Sequence, residues 1–158
     1  MLRVLLAAII FLGFSFSGFS QDPPDTEFRG VWITTLNNID WPPVGTSSST
    51  SQQKAFIELL DYYYALNFNA IIDQIRPSGD SFYPSAYSPW SRFLTGKEGV
   101  ASRWEIDPMK FMIAEAHKRD LEFHAWINPY RASSNQHISS FSRKNLYFQH
   151  PEWIRKYD

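Results

Sequence analysis

Hydrophobic and polar positions along the chain change period several times, and the changes predict an alternation of strands and helices. The run Phe28-Arg29-Gly30-Val31-Trp32-Ile33-Thr34-Thr35 is β-branched and aromatic, follows Asp22-Pro23-Pro24-Asp25, and reads as a first strand. The segment Asn37 to Pro43 and the Ser/Thr stretch Thr46 to Ser51 read as a loop. Its end, Thr50-Ser51-Gln52-Gln53, has the spacing of a capping box. Phe56, Leu59, Leu60, Tyr63 and Leu66 then recur at helical spacing, which predicts a helix from about Ser51 to Leu66. Asn67 sits where that helix must stop, and Asn tolerates the left-handed cap conformation.

Asn69 to Ile75 is the second apolar run and a second strand. Arg76 to Glu105 has no sustained period. A loop of that length is functional or disordered as a rule, and its mix of aromatic and charged residues argues for order. Asp107-Pro108 then supplies a capping oxygen and a proline at the first helical position. Met109, Met112, Ile113 and Ala116 form the apolar stripe of the second helix, with Lys118 and Arg119 placed favourably in its last turn. Leu121 to Ile127 is a third strand, Asn128 to His150 a second long loop, and Pro151 to Tyr157 a further short helix.

Strand, helix, strand, helix, strand is the order of βαβ units with a parallel sheet, so the fold class is α/β. The segments after the strands are long and polar-aromatic, whereas the turns before them, Asn67-Phe68 and Asp120, are short. Active sites of parallel β/α folds lie at the carboxyl ends of the strands, on the side of the long loops. The candidates there are Asn37, Asp40 and Trp41 after strand 1; Arg76, Asp80, Tyr83 and Trp90 after strand 2; and His124, Trp126, Asn128, Tyr130 and Arg131 at strand 3.

The first twenty residues add a destination. Arg3 precedes an apolar run from Val4 to Gly13 and a small-residue stretch ending at Ser20, the order of a signal peptide cleaved before Gln21. Residues 1–20 are therefore expected to direct export to the periplasm or the extracellular space, leaving no stable membrane anchor after removal, and residues 21–158 to form the domain. With no cysteine there is no lipid attachment point, no disulfide and no thiolate metal site. A formal net charge of −1 without a basic block makes nucleic acid an unexpected partner. Aromatic residues reach 17%, with six Trp and eight Tyr. Many fall in the loops, where flat rings suit the apolar face of a sugar or pack beneath the loop.

Several segments in order sharpen the picture: Phe28-Arg29-Gly30-Val31-Trp32, Asp40-Trp41-Pro42, Gln74-Ile75-Arg76-Pro77-Ser78-Gly79-Asp80, Tyr83-Pro84-Ser85, Pro89-Trp90-Ser91-Arg92 with Leu94-Thr95-Gly96, His124-Ala125-Trp126-Ile127-Asn128-Pro129-Tyr130-Arg131, and His150-Pro151-Glu152-Trp153. Together they resemble the glycosyl hydrolase-like 10 family of bacterial exported proteins and lipoproteins, from Phe28 to Tyr157. The resemblance implies the N-terminal portion of a (β/α)8 TIM-type barrel that hydrolyses glycosidic bonds, with bacterial cell-wall glycan as the favoured substrate. Such barrels run to about 250 residues, so the chain is expected to hold about three strands and two to three helices of an incomplete barrel. The family's barrel continues into a fourth strand with an acidic, aromatic end. Asn67 and Asp120 stand where the family usually has Gly.

Glycoside hydrolysis uses two carboxyl groups. Asp40 and Asp80 are the carboxylates near the expected strand ends. Asp80 follows Arg76 by four residues, and a guanidinium beside it would hold it ionised. It is the catalytic candidate, against the alternative of an Arg-Asp pair that braces the loop; the main acid is expected beyond Asp158. Trp41, Tyr83, Trp90, Trp126 and Tyr130 are candidate sugar platforms, with Asp40, Arg76, Asn128 and Arg131 as partners for hydroxyls. Trp32 and Trp126 equally suit a barrel core, and His124 reads as a satisfied core histidine. No zinc-like spacing and no Gly-rich phosphate loop is present, so neither metal nor cofactor is expected. The function expected is that of a glycan-hydrolase fragment supplying substrate-binding loops. The alternatives are a carbohydrate-binding barrel without catalysis and an unrelated three-layer α/β domain.

Overall fold

Three parallel strands are laid side by side in chain order, β1 (Gly30–Ile33), β2 (Ala70–Arg76) and β3 (Glu122–Ile127). The computed structural model describes residues 27–44, 48–133 and 137–156. The expected signal segment and cleavage point, the Asp22–Asp25 lead-in and Tyr157 lie outside the described residues. Gly30 pairs with Ala70 and Ile33 with Asp73; Ala70 pairs with Glu122 and Gln74 with Trp126. An irregularity between Gln74 and Arg76 then sets Arg76 opposite Ile127. The helices are α1 (Ser49–Ala65), α2 (Arg92–Thr95), α3 (Pro108–His117) and α4 (Leu146–Gln149).

Helix boundaries follow local chemistry. Helix α1 begins earlier than its capping-box reading, because Ser48 is the N-cap and its hydroxyl accepts from Ser51 N. That turns Gln52 inward, so the buried stripe is Gln52, Phe56 and Leu60, four residues apart, while Leu66 is exposed. Asp107 caps α3 as expected, its Oδ1 accepting from Met109 N at 2.9 Å ahead of Pro108. The chain leaves both long helices through left-handed residues, Asn67 at φ 60° and Asp120 at φ 53°. The short helix expected over Pro151–Tyr157 is a single 3-10 turn, Pro151–Trp153, preceded by α4.

Alternation along the strands gives the sheet two unlike faces. Val31, Ile33, Ile71, Ile75 and Phe123 turn toward Phe56 and Leu60 of α1 and Met112 and Ala116 of α3, forming the core. The opposite face is open among the described residues. Trp32 is 60% exposed there and meets Trp126 edge to face at 5.0 Å. Phe28 folds back over Gly30, where any Cβ would come within 2.7 Å of its ring, and abuts His124 at 5.5 Å. His124 is thus exposed and paired with Glu122, Nε2 to Oε2 2.8 Å, rather than a core histidine. Helices cover one face, so the described residues make two layers and not the three of an independent α/β sandwich.

One residue breaks the alternation. Asp73, level with Ile33 and Ala125, points into the helix-covered face with no exposed area. Neither carboxylate oxygen has a well-aligned hydrogen-bond partner, the Gln74 N–H approaching without good geometry. Burial pushes its pKa up to about 8; the Gln74 N–H opposes the shift and the Asp40 charge adds to it.

Candidate functional site

The long loop after β2 is ordered by a small core of its own. Phe82, Phe93, Leu94 and Trp104 are buried in it together with Trp41 from the loop after β1. Ser81 N donates to Pro89 O and Ser91 N to Ser81 O, a one-residue bridge that sets Trp90 beside Ser81. Gln52 ties this loop to α1: its Nε2 donates to Leu94 O at 2.7 Å, and its Oε1 accepts from Trp104 Nε1 at 2.8 Å. Trp41 donates from Nε1 to Gln52 O and is 1% exposed between Phe56, Phe82 and Trp104. This corrects its reading as a sugar platform, since an indole with both faces packed has none to offer a ring. Asn38 completes the seam by donating from Nδ2 to Pro42 O and Phe93 O.

The loops after β2 and β3 meet at the carboxyl strand ends. Asn128 N donates to Arg76 O, and Asn128 Nδ2 donates to Pro77 O at 3.1 Å. Trp126 Nε1 donates to Asn128 Oδ1 at 2.9 Å, so strand pairing and two side-chain bonds hold Arg76, Trp126 and Asn128 together. Gly79, at φ 65°, lets the β2 loop approach Ala132, whose carbonyl oxygen would lie 3.1 Å from any added Cβ. Arg76 is half-buried and forms no ion pair among the described residues. Tyr130 is 99% exposed and Arg131 is exposed beside it in sequence. Tyr83 and Trp90 are partly buried against the loop core.

The carboxylates are placed differently from expectation. Asp80 is 3% exposed; its Oδ1 accepts from Ser78 N at 2.8 Å, and the Ser91 hydroxyl also bonds to it. The expected Arg76–Asp80 pair does not form, and the nearby guanidinium is that of Arg92. Nor is the carboxyl held low. Burial raises its pKa, and the Ser91 and backbone hydrogen bonds and the Arg92 charge oppose the rise without cancelling it. Asp80 therefore braces the loop in the described structure. Asp40 is exposed, with Oδ2 accepting from Thr34 N at 2.7 Å to close the turn after β1.

Two residues that matter here were not among the candidates. Gln74 Oε1 accepts from Thr35 N and Leu36 N, and Thr35 Oγ1 donates to Gln74 O at 2.6 Å, which fixes the end of β1 against β2. Strand parity could have pointed to it. Glu98 accepts from Ser142 N and from Asn145 Nδ2, and burial raises its pKa against those two bonds. It sits mid-loop, where no period marks it.

Chemically, the strand ends offer a guanidinium with no ion pair among the described residues, an oriented amide, indole and phenol rings, and carboxylates already engaged by backbone N–H groups. Such a surface suits a hydroxyl-rich ligand. The model of the glycosyl hydrolase-like 10 family matches residues 27–158. Among curated proteins, Glycosyl hydrolase YngK of Bacillus subtilis (strain 168) is 46% identical over 134 residues, covering 84% of this chain and 26% of the relative. Glycosyl hydrolase DigH of Escherichia coli (strain K12) is 39% identical over 157 aligned positions, covering 86% of this chain and 35% of the relative. The chain thus spans about a quarter to a third of the length of these relatives.

Proposed function

This chain belongs to the glycosyl hydrolase-like 10 family, and on that premise we propose that it forms the first three strands and the first three strand-end loops of an exported glycoside-hydrolase barrel. In this reading the loops hold bacterial cell-wall glycan or a related polysaccharide, and the two carboxyl groups of hydrolysis come from other parts of the barrel. The observation that carries it is the junction of Arg76, Trp126 and Asn128 at the carboxyl end of β2 and β3. There a sugar ring meets an indole while its hydroxyls meet guanidinium and amide. Tyr130 and Arg131 extend the same loop outward, and Tyr83 and Trp90, partly buried in the β2 loop, are further ring candidates.

Titration with soluble cell-wall glycan oligomers, read by Trp fluorescence and calorimetry, tests the reading. Arg76→Ala and Trp126→Ala are each expected to weaken binding about tenfold, the loss of roughly 1.4 kcal/mol. Unchanged affinity in both variants would dismiss the junction as a sugar site. The burial of Asp80 favours a second reading, a carbohydrate-binding barrel without catalysis. Release of new reducing ends from the same glycan by the protein at its relatives' full length separates the two.

A further inference from the structure

Glu98 and Gly99 stand where the two active-face loops are fastened to one another. Glu98 Oε1 accepts from Ser142 N at 3.1 Å and from Asn145 Nδ2 at 2.9 Å, both in the loop after β3. Asn145 is 1% exposed, and its Oδ1 accepts from Tyr147 N at 2.8 Å, which starts α4. Gly99 is pressed against the same segment. With φ 79°, any Cβ on it would lie 2.4 Å from Ser142 Oγ and 2.7 Å from Ser142 Cβ. From its other side Gly99 N donates to Trp90 O at 2.9 Å.

One dipeptide therefore grips Ser142 and Asn145 by a carboxylate and holds the backbone of Trp90 by an amide. We propose that Glu98 is a positioning residue of the glycan cleft, fixing the loop after β3 relative to the segment of the β2 loop that presents Trp90. The inference rests on the reading of that cleft as a glycan site. Glu98 also lies within the electrostatic reach of Asp80, whose charge raises its pKa, and of Arg92, whose charge lowers it. The fastening thus adjoins the bracing of Asp80. Its sequence signal is faint: a Glu-Gly pair in a loop, with its partners more than forty residues later.

The test uses charge-complementary substitutions in the full chain. Asn145→Asp keeps an oxygen to cap Tyr147 N but sets a carboxylate against Glu98. Glu98→Gln keeps Oε1 as the shared acceptor for Ser142 N and Asn145 Nδ2 and, in combination with Asn145→Asp, removes the repulsion between the two carboxylates. Affinity for soluble cell-wall glycan oligomers is expected to fall at least tenfold in Asn145→Asp. It should stay within about twofold of the parent in Glu98→Gln and recover in the double variant. Amide exchange at Ser142 is read in parallel, expected to quicken in Asn145→Asp and to slow again in the double variant. Equal affinity and equal exchange in all four proteins overturn the proposal, as does an Asn145→Asp defect that Glu98→Gln fails to repair. If the parent binds no glycan, the cleft reading falls by itself, and the exchange data alone decide whether Glu98 fastens the loops.

Discussion

Asp73→Asn is expected to change how the stability of the fold depends on pH. The carboxyl of Asp73 lies wholly buried in the face of β2 covered by α1 and α3, without a well-aligned hydrogen-bond partner for either oxygen. Its pKa rises from 3.8 to about 8. Between those values the native state keeps a proton that the unfolded chain has released, so raising the pH favours unfolding. The associated stability is fully present below 3.8, falls by about 1.4 kcal/mol per pH unit, and stops falling above about 8. By pH 7 the loss amounts to about 4 kcal/mol. Asparagine buries a neutral amide of nearly the same shape and has no proton to lose. The variant should therefore match the parent near pH 4 and exceed it by up to about 4 kcal/mol at pH 7. Urea unfolding followed by Trp fluorescence at pH 4, 5.5, 7 and 8.5 measures the difference. A constant gap between the two proteins across that range would refute the reasoning, because it would mean that Asp73 does not change protonation on folding.

Other substitutions probe the turns, the loop core and the strand-end junction. Asn67→Gly and Asp120→Gly relieve left-handed backbone at φ 60° and 53° and should each raise stability by roughly 0.5–1 kcal/mol in the same unfolding assay. Trp41→Ala removes a buried indole from between three aromatic rings; it should cost about 3–5 kcal/mol, read as a lowered unfolding midpoint. Arg76→Ala, which breaks no ion pair among the described residues, should leave that midpoint within about 0.5 kcal/mol of the parent while weakening glycan binding. A matched fall in stability would assign Arg76 to the scaffold instead.

Element order was legible in the sequence because each signal is local. Strand composition, the apolar period of α1 and α3, Asp107-Pro108 at a helix start and Asn67 at a helix stop are properties of neighbours in the chain, and all appear in the structure. Family membership was legible too, since an ordered series of short motifs survives without coordinates. Side-chain fate was harder to read. Trp41 and Asp80 have the composition of ligand-binding groups and are buried; His124 and Trp32 sit within strands yet are exposed.

Those outcomes depend on which face of the sheet is covered and on how two loops fold over one another, and no local period encodes either. Strand parity sets His124 and Trp126 on one side of β3, but only the strand register brought Trp32 beside them, and only packing decided that α1 and α3 would take the other side. Spacing suggested Arg76 as the partner of Asp80. The β2 loop instead turns Asp80 inward toward Ser91 with Arg92 nearby, leaving Arg76 at the junction with Trp126 and Asn128. The sequence by itself thus determined the α/β order and the family, whereas tertiary structure decided which polar groups brace the loops and which stand ready for a ligand. The physical reason is that burial and hydrogen-bond pairing belong to residues brought together from distant parts of the chain.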